Sequence, residues 1–255
     1  MLDLCGDYIR YHGNVIGLGA LTELLQAFDV TADNVRVVMS RLRREGFFDT
    51  TRDGRTTNYV ITSETLRTLD EGRNRIFTRN TEAWSGNWHM VIYQVPESER
   101  ARRERLRTGL AWLGFGPLAP STWLSAHDRR PQVRELFADS GQARFDELVS
   151  RTGGLDADRE LAARCWNLSR LADGYLAWVR AWSGRVDAEL DDGQVLVART
   201  ELVQDYRKFP FSDPDLPAEL LPADWPGSGA HELFLKLYDT WAGPAQRFYE
   251  AVTGT

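Results

Sequence analysis

A short stretch of this sequence concentrates side chains that are suited to contact a polyanion. Residues 36–55 hold six arginines against three acidic residues, although the 255-residue chain has a formal net charge of −6. Guanidinium groups bind phosphates and the edge of guanine, amides bind adenine, and small apolar side chains contact the methyl group of thymine. We therefore expect one localised basic element to meet nucleic acid while the acidic remainder of the surface stays away from it.

The spacing of apolar residues predicts which of these side chains face outward. Between Val35 and Leu42 they recur at i, i+3, i+4 and i+7, which is typical of one face of a helix. Thr31 is a typical N-cap for that helix and Gly46 a typical stop. The residues on the opposite face that we predict to read base edges are Asn34, Arg36, Val37, Ser40 and Arg41. The residues that we predict to anchor phosphates are Arg43, Arg44, Arg52 and Arg55.

A hairpin signal directly follows this helix. Two runs rich in β-forming residues, 47–52 and 55–61, meet at Asp53-Gly54, a pair that favours a type I′ turn. Short helices are predicted at 2–10 and 18–28, so three helices precede the hairpin, as in a winged helix-turn-helix. Exposed arginines on a helix are more often only a solvated face. The hairpin that follows favours DNA binding instead.

Residues 84–152 predict a second domain built from alternating strands and helices. The predicted elements are a strand at 88–95, a helix at 97–113, two short strands within 114–126 on either side of Pro120, a helix near 131–139 and a strand near 143–149. This β-α-β-β-α-β order is typical of a ferredoxin-like domain. Such domains also occur in small metal-dependent nucleases of CRISPR adaptation, which carry an acidic metal ligand at the end of the first strand. Gln94 stands there in this chain and is a poor Mg²⁺ ligand.

Residues 156–255 predict a mostly helical third domain. Helices are expected at 157–182, with a break near Asp173-Gly174, and at 186–207 and 230–251. The proline-rich segment at 209–227 cannot form one helix, so we expect an ordered wrap or a long loop there.

The sequence offers no pattern of a catalytic or metal centre. The four histidines have no metal-ligating partner at a suitable spacing, and there is no GxSxG, P-loop or GxGxxG motif. We therefore expect neither an enzyme nor a bound cofactor. No apolar run is long enough to span a membrane, and Asp3 and Asp7 interrupt the N-terminal apolar residues, unlike a signal peptide. With two distant cysteines, these features predict a cytoplasmic protein.

The sequence also resembles a known family. "NVRVVMSRLRREGFFDTTRDGRTTNYVIT", followed by "GRNRIFTR", is similar to the winged-helix domain of the PaaX family, repressors of phenylacetate degradation. The likeness continues through "WHMVIYQVPESERARRERLRTGLAWLGFGPLAPSTWLS" and ends in "FPFSDPDLPAELLPADWPG", which resembles a C-terminal signature of that family. The resemblance implies a homodimeric transcriptional repressor on a pseudo-palindromic operator. It also implies release by an aryl-CoA thioester such as phenylacetyl-CoA.

A CoA thioester would need cations for its phosphates and an apolar slot for its aryl group. The residues that we propose as candidates for this effector site are Arg129, Arg130, Trp166, Arg207, Lys208 and Trp225. Each of them could equally be structural, and core packing is the favoured role for Trp225. Together the patterns and the resemblance predict an α+β multidomain protein. Its parts are a winged helix-turn-helix domain (1–80), a ferredoxin-like middle domain (84–152) and a mostly helical C-terminal effector and dimerisation domain (156–255).

Two other functions remain open at this stage. An RNA-associated regulator could use the arginine-rich helix at 99–107, although interleaved glutamates favour a solvated face there. A nuclease could be built on the middle domain, either active or degenerate, and Gln94 argues against activity.

Overall fold

The computed structural model describes residues 1–54, 56–80, 83–138, 143–185 and 189–254. It is an α+β structure with many helices and two small antiparallel sheets. None of the helices in the described part of the chain has the length and hydrophobicity that a bilayer-spanning segment needs. Two compact units are formed: unit 1 comprises 1–78, 178–207 and 229–255, and unit 2 comprises 79–177 and 208–228. The division into domains at 1–80, 84–152 and 156–255 stays a prediction.

The N-terminal part of unit 1 combines four helices with a small sheet. The helices are α1 (Leu2–Asp7), α2 (Leu18–Gln26), α3 (Ala32–Arg44) and α4 (Ser63–Phe77), and a 3₁₀ turn covers Ile9–Tyr11. The strands are β1 (Val15–Gly17), β2 (Phe48–Asp53) and β3 (Thr56–Ile61), in the order β1-β3-β2. The first helix ends three residues earlier than predicted, and β1 was not predicted, because a strand of three residues carries no readable alternation.

The local signals around α3 are confirmed. The Thr31 hydroxyl oxygen accepts a hydrogen bond from the Asn34 amide at 3.4 Å, as expected of an N-cap. Val35 and Met39 are fully buried, and Leu42 is 7% exposed, so the predicted stripe faces the core. Gly46 follows the helix with a φ of 84°, a conformation that favours glycine. The side chains opposite the stripe are therefore held toward solvent.

The hairpin turns one residue later than predicted. Asp53 pairs with Thr56, so the strands continue through Asp53 and the first turn residue is Gly54, with a φ of 57°. Residue 55, which was predicted to begin the second strand, lies outside the described residues. Asp53 is therefore not a central turn residue as predicted, because strand pairing extends through it, and the predicted turn type stays a prediction.

Three helices complete unit 1, together with the end of α8 (Leu168–Ser183). These are α9 (Asp192–Tyr206), α10 (Gly227–Thr240) and α11 (Ala242–Thr253). The prediction of a single helix at 230–251 is wrong, because the helix is interrupted at Trp241, whose side chain is only 4% exposed. The helix predicted from residue 186 begins later, at a capping box formed by Asp191 and Gln194.

A buried ionic cluster joins α1 to α9 and α10 within unit 1. The Arg199 guanidinium donates to the Tyr8 hydroxyl at 2.8 Å and to the Tyr238 carbonyl at 3.0 Å. It also lies 3.9 Å from the Asp7 carboxylate, to which the Tyr238 hydroxyl donates at 2.7 Å. Burial raises the pKa of Asp7, although Arg199 and Tyr238 favour its charged form. The carboxylate depends on these partners because water does not reach it.

Unit 2 contains the second sheet. Its elements are β4 (Trp88–Gln94), α5 (Arg100–Trp112), β5 (Gly116–Ala119), β6 (Thr122–Ser125), α6 (Arg130–Ala138), β7 (Arg144–Ser150), α7 (Leu155–Cys165) and the first part of α8. The strands lie in the order β5-β6-β4-β7, and all neighbours are antiparallel. The predicted sequence of strands and helices from 88 to 150 is confirmed. Val91 and Tyr93 pack against residues of α5 and α6 such as Leu110 and Phe137.

The predicted break at Asp173-Gly174 is wrong. Helices α7 and α8 are separated at Trp166 and Asn167 instead, and Gly174 lies inside α8. A Cβ on Gly174 would come within 3.2 Å of the Phe209 ring, so this glycine makes room for an aromatic side chain and does not end the helix. Packing against Phe209 thus overrides the low helix propensity of glycine.

The proline-rich segment is an ordered wrap in unit 2, with a 3₁₀ turn at Ala218–Leu220. Arg79 holds it through ion pairs with Asp213 at 2.8 Å and Asp215 at 2.9 Å. Burial disfavours the Arg79 charge, but Asp213, Tyr175 and Asp215 outweigh burial and raise the pKa of Arg79. The His127 ring nitrogen Nε2 also lies 2.6 Å from the Asp215 carbonyl oxygen. These contacts fix the segment without regular secondary structure.

The cluster around Arg199 predicts a large effect on stability. Arg199→Met should lower the free energy of unfolding by about 3–5 kcal/mol, because the Tyr8 hydroxyl and the Tyr238 carbonyl lose their donor and the Asp7 carboxylate keeps only Arg73, at 3.7 Å, as a cation. The deficit should shrink as the pH falls, since the raised pKa of Asp7 means that its protonation favours the folded state. Urea unfolding monitored by circular dichroism at several pH values measures both effects.

Arg247→Gln is the matched control for that experiment. Arg247 forms an exposed ion pair with Asp192 at 2.8 Å, and solvent and salt weaken such a pair. We expect little measurable change in unfolding for this variant. Equal stability of Arg199→Met and Arg247→Gln would show that the buried cluster does not hold unit 1 together.

Candidate nucleic-acid interface

The outer face of α3 presents the predicted base-reading residues to solvent. Asn34, Arg36, Ser40 and Arg41 are all exposed. Val37 is 69% exposed, the highest value among the large apolar side chains described as exposed. An exposed valine has no reason to be there for core packing, whereas it can contact a thymine methyl group. The helix therefore displays one apolar and several polar groups on the same surface.

Two arginines of this face are held by weak ion pairs within the helix. Arg36 Nη1 lies 2.8 Å from Asp33 Oδ1, and Arg41 Nε lies 3.7 Å from Glu45 Oε1. All four side chains are at least 47% exposed, so these pairs contribute little and can open when a stronger acceptor arrives. Arg43 and Arg44 are exposed in the last turn of the helix. Their position suits contacts to a phosphate backbone.

The β2–β3 hairpin is anchored at its base and exposed beyond it. Phe48 is buried and its ring meets Tyr59 edge-on, with ring centroids 6.2 Å apart. The remaining residues of β2 are all exposed, and the strand lies at the edge of the sheet. Arg52 is near the end of this strand, opposite Thr57. Arg55, the other predicted phosphate contact of the hairpin, lies outside the described residues.

The turn between α2 and α3 contains a residue that sequence reasoning did not single out. Asp29 adopts a φ of 58°, which aspartate tolerates better than most residues. Leu21, Leu24 and Leu25 of α2 are buried, so the helix before the turn is fixed by its core face. Asp29 therefore helps to set the direction in which α3 leaves the turn. An aspartate between two helical patterns was the available signal.

The two tryptophans among the candidate effector residues share one surrounding. Trp166 and Trp225 are half-buried and pack against the same core cluster of unit 2, which includes Trp88. Trp166 stacks on Trp88 with ring centroids 6.2 Å apart, and no acceptor among the described residues is hydrogen-bonded to Trp225 Nε1. The structure thus brings these two tryptophans to one core.

The candidate cations belong to both units, and two of them have acidic partners. Arg130 binds Asp128 through its Nε at 2.9 Å, and this hydrogen bond holds the pKa of Asp128 well below its usual range. Arg129 is its half-buried neighbour. Arg207 belongs to unit 1, where it lies 3.2 Å from Asp3, while Lys208 begins a segment of unit 2.

The position that corresponds to a nuclease metal ligand holds a neutral side chain. Gln94 is exposed at the end of β4 and pairs with Arg144 of β7. Among the described residues, no group of three or more His, Cys, Asp or Glu side chains could hold a metal ion. Three histidines have structural partners instead: His12 contacts Gln246, His127 contacts Asn80, and His231 contacts Tyr206.

Comparison with known proteins assigns the chain to a family. Three family models match in succession: the PaaX-like protein model at residues 1–65, the PaaX protein central Cas2-like domain at 81–162 and the PaaX-like protein C-terminal domain at 166–251. The chain belongs to the PaaX family. The resemblance seen in the sequence is thereby confirmed.

Two similar proteins extend the comparison over nearly the whole chain. One is the transcriptional repressor PaaX of Escherichia coli (strain K12), which is 28% identical over an alignment that covers 96% of this chain and 80% of that protein. The other is the solved structure of the uncharacterized protein Rv0674 from Mycobacterium tuberculosis. The two chains are 27% identical and superpose with a TM-score of 0.64. The match covers 91% of this chain and 89% of the Rv0674 chain.

The neutral Gln94 predicts that purified protein cuts nothing. Incubation with duplex DNA or RNA and Mg²⁺ or Mn²⁺ should leave the nucleic acid intact, because no carboxylate cluster holds a metal in the described part of unit 2. Electrophoresis of radiolabelled strands measures this. Cleavage that follows the protein through further purification, and disappears in Gln94→Ala, would contradict the prediction.

Proposed function

We propose that the protein is a transcriptional repressor that binds operator DNA through α3 and the β2–β3 hairpin. The exposed face of α3 carries this proposal, because it places Val37 beside the exposed Arg36 and Arg41. The similarity to the E. coli repressor PaaX supports the same class of function. In this proposal residues 1–80 act as a winged helix-turn-helix.

Recognition is proposed to divide between bases and backbone. The N-terminal part of α3 lies in the major groove, where Asn34, Arg36, Val37, Ser40 and Arg41 read base edges. Arg43 and Arg44 contact phosphates from the last turn of the helix, and Arg52 and Arg55 do so from the hairpin. The ion pairs of Arg36 and Arg41 are exposed, so exchanging them for DNA contacts costs little.

Two copies of the chain are proposed to bind a pseudo-palindromic operator. A single α3 reads only a few base pairs, and a twofold dimer doubles the contact and sets the spacing of the half-sites. The middle residues 84–152 act as a ferredoxin-like domain in this proposal, which the β5-β6-β4-β7 order supports. Residues 156–255 supply effector binding and dimer contacts.

An RNA-associated role for α5 is not favoured. Arg102 is ion-paired with Glu99, and Arg103 donates to the Glu97 carbonyl at 3.1 Å. These two arginines are thus bound to the start of their own helix. The similarity to a transcriptional repressor instead favours DNA as the partner.

Release from DNA is proposed to follow binding of an aryl-CoA thioester. Trp166 and Trp225 pack on one core and supply aromatic surface, and Arg129, Arg130, Arg207 and Lys208 are the proposed cations. A ligand that prefers the form with lower operator affinity releases the protein by linkage. The ion pairs of Arg130 and Arg207 would have to open for phosphate binding.

Base reading by Arg36 predicts a loss that depends on sequence. Arg36→Ala should weaken operator binding by roughly 1–3 kcal/mol and affect random DNA much less. Arg52→Ala should instead weaken both similarly and reduce the salt slope by about one unit. Fluorescence anisotropy with both duplexes at several salt concentrations distinguishes these effects. Equal losses on operator and random DNA for Arg36→Ala would show that Arg36 only contacts the backbone.

The proposed cations predict a variant that binds DNA but resists release. Arg207→Ala combined with Lys208→Ala should retain operator affinity and require at least about tenfold more phenylacetyl-CoA for release. Asp3→Asn is the matched control, since it breaks the Arg207–Asp3 ion pair but keeps both cations. If the double variant releases like wild type, these residues are not the phosphate site. Equal resistance of Asp3→Asn to release would show that the effect comes from loss of the Arg207–Asp3 ion pair and not from loss of a phosphate site.

A further inference from the structure

Helix α5 of unit 2 carries a concentration of positive charge that its own stability does not require. Its 13 residues include five arginines and one acidic residue, Glu104, in a chain whose formal net charge is −6. Cations stabilise a helix near its C-terminus and anions near its N-terminus. Every residue of α5 is described, and the helix has the opposite arrangement: its first turn has no acidic residue and its last turn no basic one. The arginines therefore oppose the helix dipole.

Three of these arginines form a row along one side of the helix. Arg100, Arg103 and Arg107 recur at i, i+3 and i+7, so each is a neighbour of the next on the helix surface. Like charges at these spacings repel and destabilise the helix unless a partner neutralises them. Glu104 stands between Arg100 and Arg107 and can balance only one of the three charges. We call these three residues the arginine row.

The arginine row keeps donors that the protein itself does not use. Arg100 and Arg107 are exposed, and neither forms an ion pair with the part of the chain that the structure describes. Arg103 is half-buried and donates from Nη2 to the Glu97 carbonyl at 3.1 Å, which leaves its other N–H groups for a partner. An external anion would therefore relieve the repulsion within the row.

A hollow beside the row gives this surface a concave shape. Its volume is about 450 Å³, and it lies between α5 and the turn that joins β5 to β6. Arg103 and Arg107 line one side, and Ser121 of the turn adds a hydroxyl group. Among the described lining residues, Glu97 is the carboxylate, so the two cations outnumber it. A chain of phosphates can therefore lie against the row.

We propose that the arginine row contacts the backbone phosphates of duplex DNA, as a second DNA surface besides α3 and the β2–β3 hairpin. The row spans about 10 Å from Arg100 to Arg107, and a DNA strand carries a phosphate about every 3.4 Å of the duplex axis, so about three phosphates face it. Such contacts do not depend on base sequence. This surface, like the proposed function on which it rests, requires duplex DNA as the partner.

The surroundings of the row favour a duplex over a single strand. Proteins that bind single strands stack unpaired bases on exposed aromatic rings. The exposed aromatic residue of α5, Trp112, follows Arg107 by five residues and therefore lies on another side of the helix. Its ring stacks on Phe211, with ring centroids 4.8 Å apart. The row thus presents charge to a phosphate backbone, while the exposed ring lies elsewhere.

The test measures how binding to a long random-sequence duplex depends on salt. Fluorescence anisotropy compares full-length wild type with Arg100→Gln combined with Arg107→Gln. Loss of two phosphate contacts should reduce the slope of log K against log salt by about two units and weaken binding at low salt about tenfold. The matched control is Arg105→Gln combined with Arg164→Gln. It removes two exposed arginines of unit 2 outside the row and should bind like wild type.

Urea unfolding of the same variants checks the physical basis of the row. Removing two mutually repelling cations, one of them in the first turn of α5, should leave the unfolding midpoint unchanged or raise it. A lower midpoint in the row variant would show that the arginines serve the helix itself, and it would overturn the row as a surface for a partner.

The outcomes distinguish failure of the row from failure of the proposed function. An unchanged salt slope in the row variant, or an equal loss in the control, overturns the row. Arg43→Gln combined with Arg44→Gln tests α3 in the same assay. If only this α3 variant loses affinity, the proposed function stands without the row; if only the row variant does, the row stands and DNA binding through α3 is refuted.

Two further outcomes concern the partner. A loss by the row variant on single-stranded RNA, with none on the duplex, would overturn duplex DNA as the partner of the row. Absence of binding by wild type to any duplex at low salt would overturn both the row and the proposed function.

Discussion

The buried guanidinium of Arg199 is the constraint on which unit 1 depends. A charge that is 5% exposed can be tolerated only if its partners stay in place, and those partners come from α1 and α10. Residues nearly two hundred positions apart in the chain are thereby fixed to one another. The short helix α1, which has only six residues and no side-chain cap, depends on such packing for its existence.

The exposed outer surface of α3 contrasts with that rigidly packed interior. Once the stripe of Val35, Met39 and Leu42 is buried, the opposite face has no packing role, and its residue types are free to serve recognition. The arginines of this face form only exposed ion pairs, which contribute little to stability and can exchange for contacts to a partner. The same residue type thus serves two purposes: buried Arg199 and half-buried Arg79 hold the fold, while exposed Arg36 and Arg41 are available to a partner.

The sequence predicted what local rules determine. The cap at Thr31, the buried stripe of α3, the stop at Gly46 and the strand–helix order from 88 to 150 all follow from neighbouring residues. It failed where distant contacts decide. The break at Trp241 and the continuous helix through Gly174 follow from packing with residues elsewhere in the chain, and the later turn at Gly54 follows from strand pairing across the hairpin.

The candidate site residues show the same difference between local patterns and distant contacts. The face of α3 could be predicted because one helix positions all of its members. The effector residues had to be gathered from several segments, and residue type alone could not show that Arg130 pairs with Asp128 or Arg207 with Asp3.

Contacts within the protein explain the residues of the proline-rich segment at 209–227. Its prolines lower the entropy lost on folding, but they also remove backbone donors, so other contacts must hold the chain in place. Arg79 supplies them by binding both Asp213 and Asp215, and Tyr175 donates to Asp213 at 2.7 Å. Aspartates at these two positions, with an arginine just after α4, are therefore required by one buried cluster. The need to balance the charge of Arg79 therefore explains these residues of the segment, and this explanation does not require a ligand to bind there.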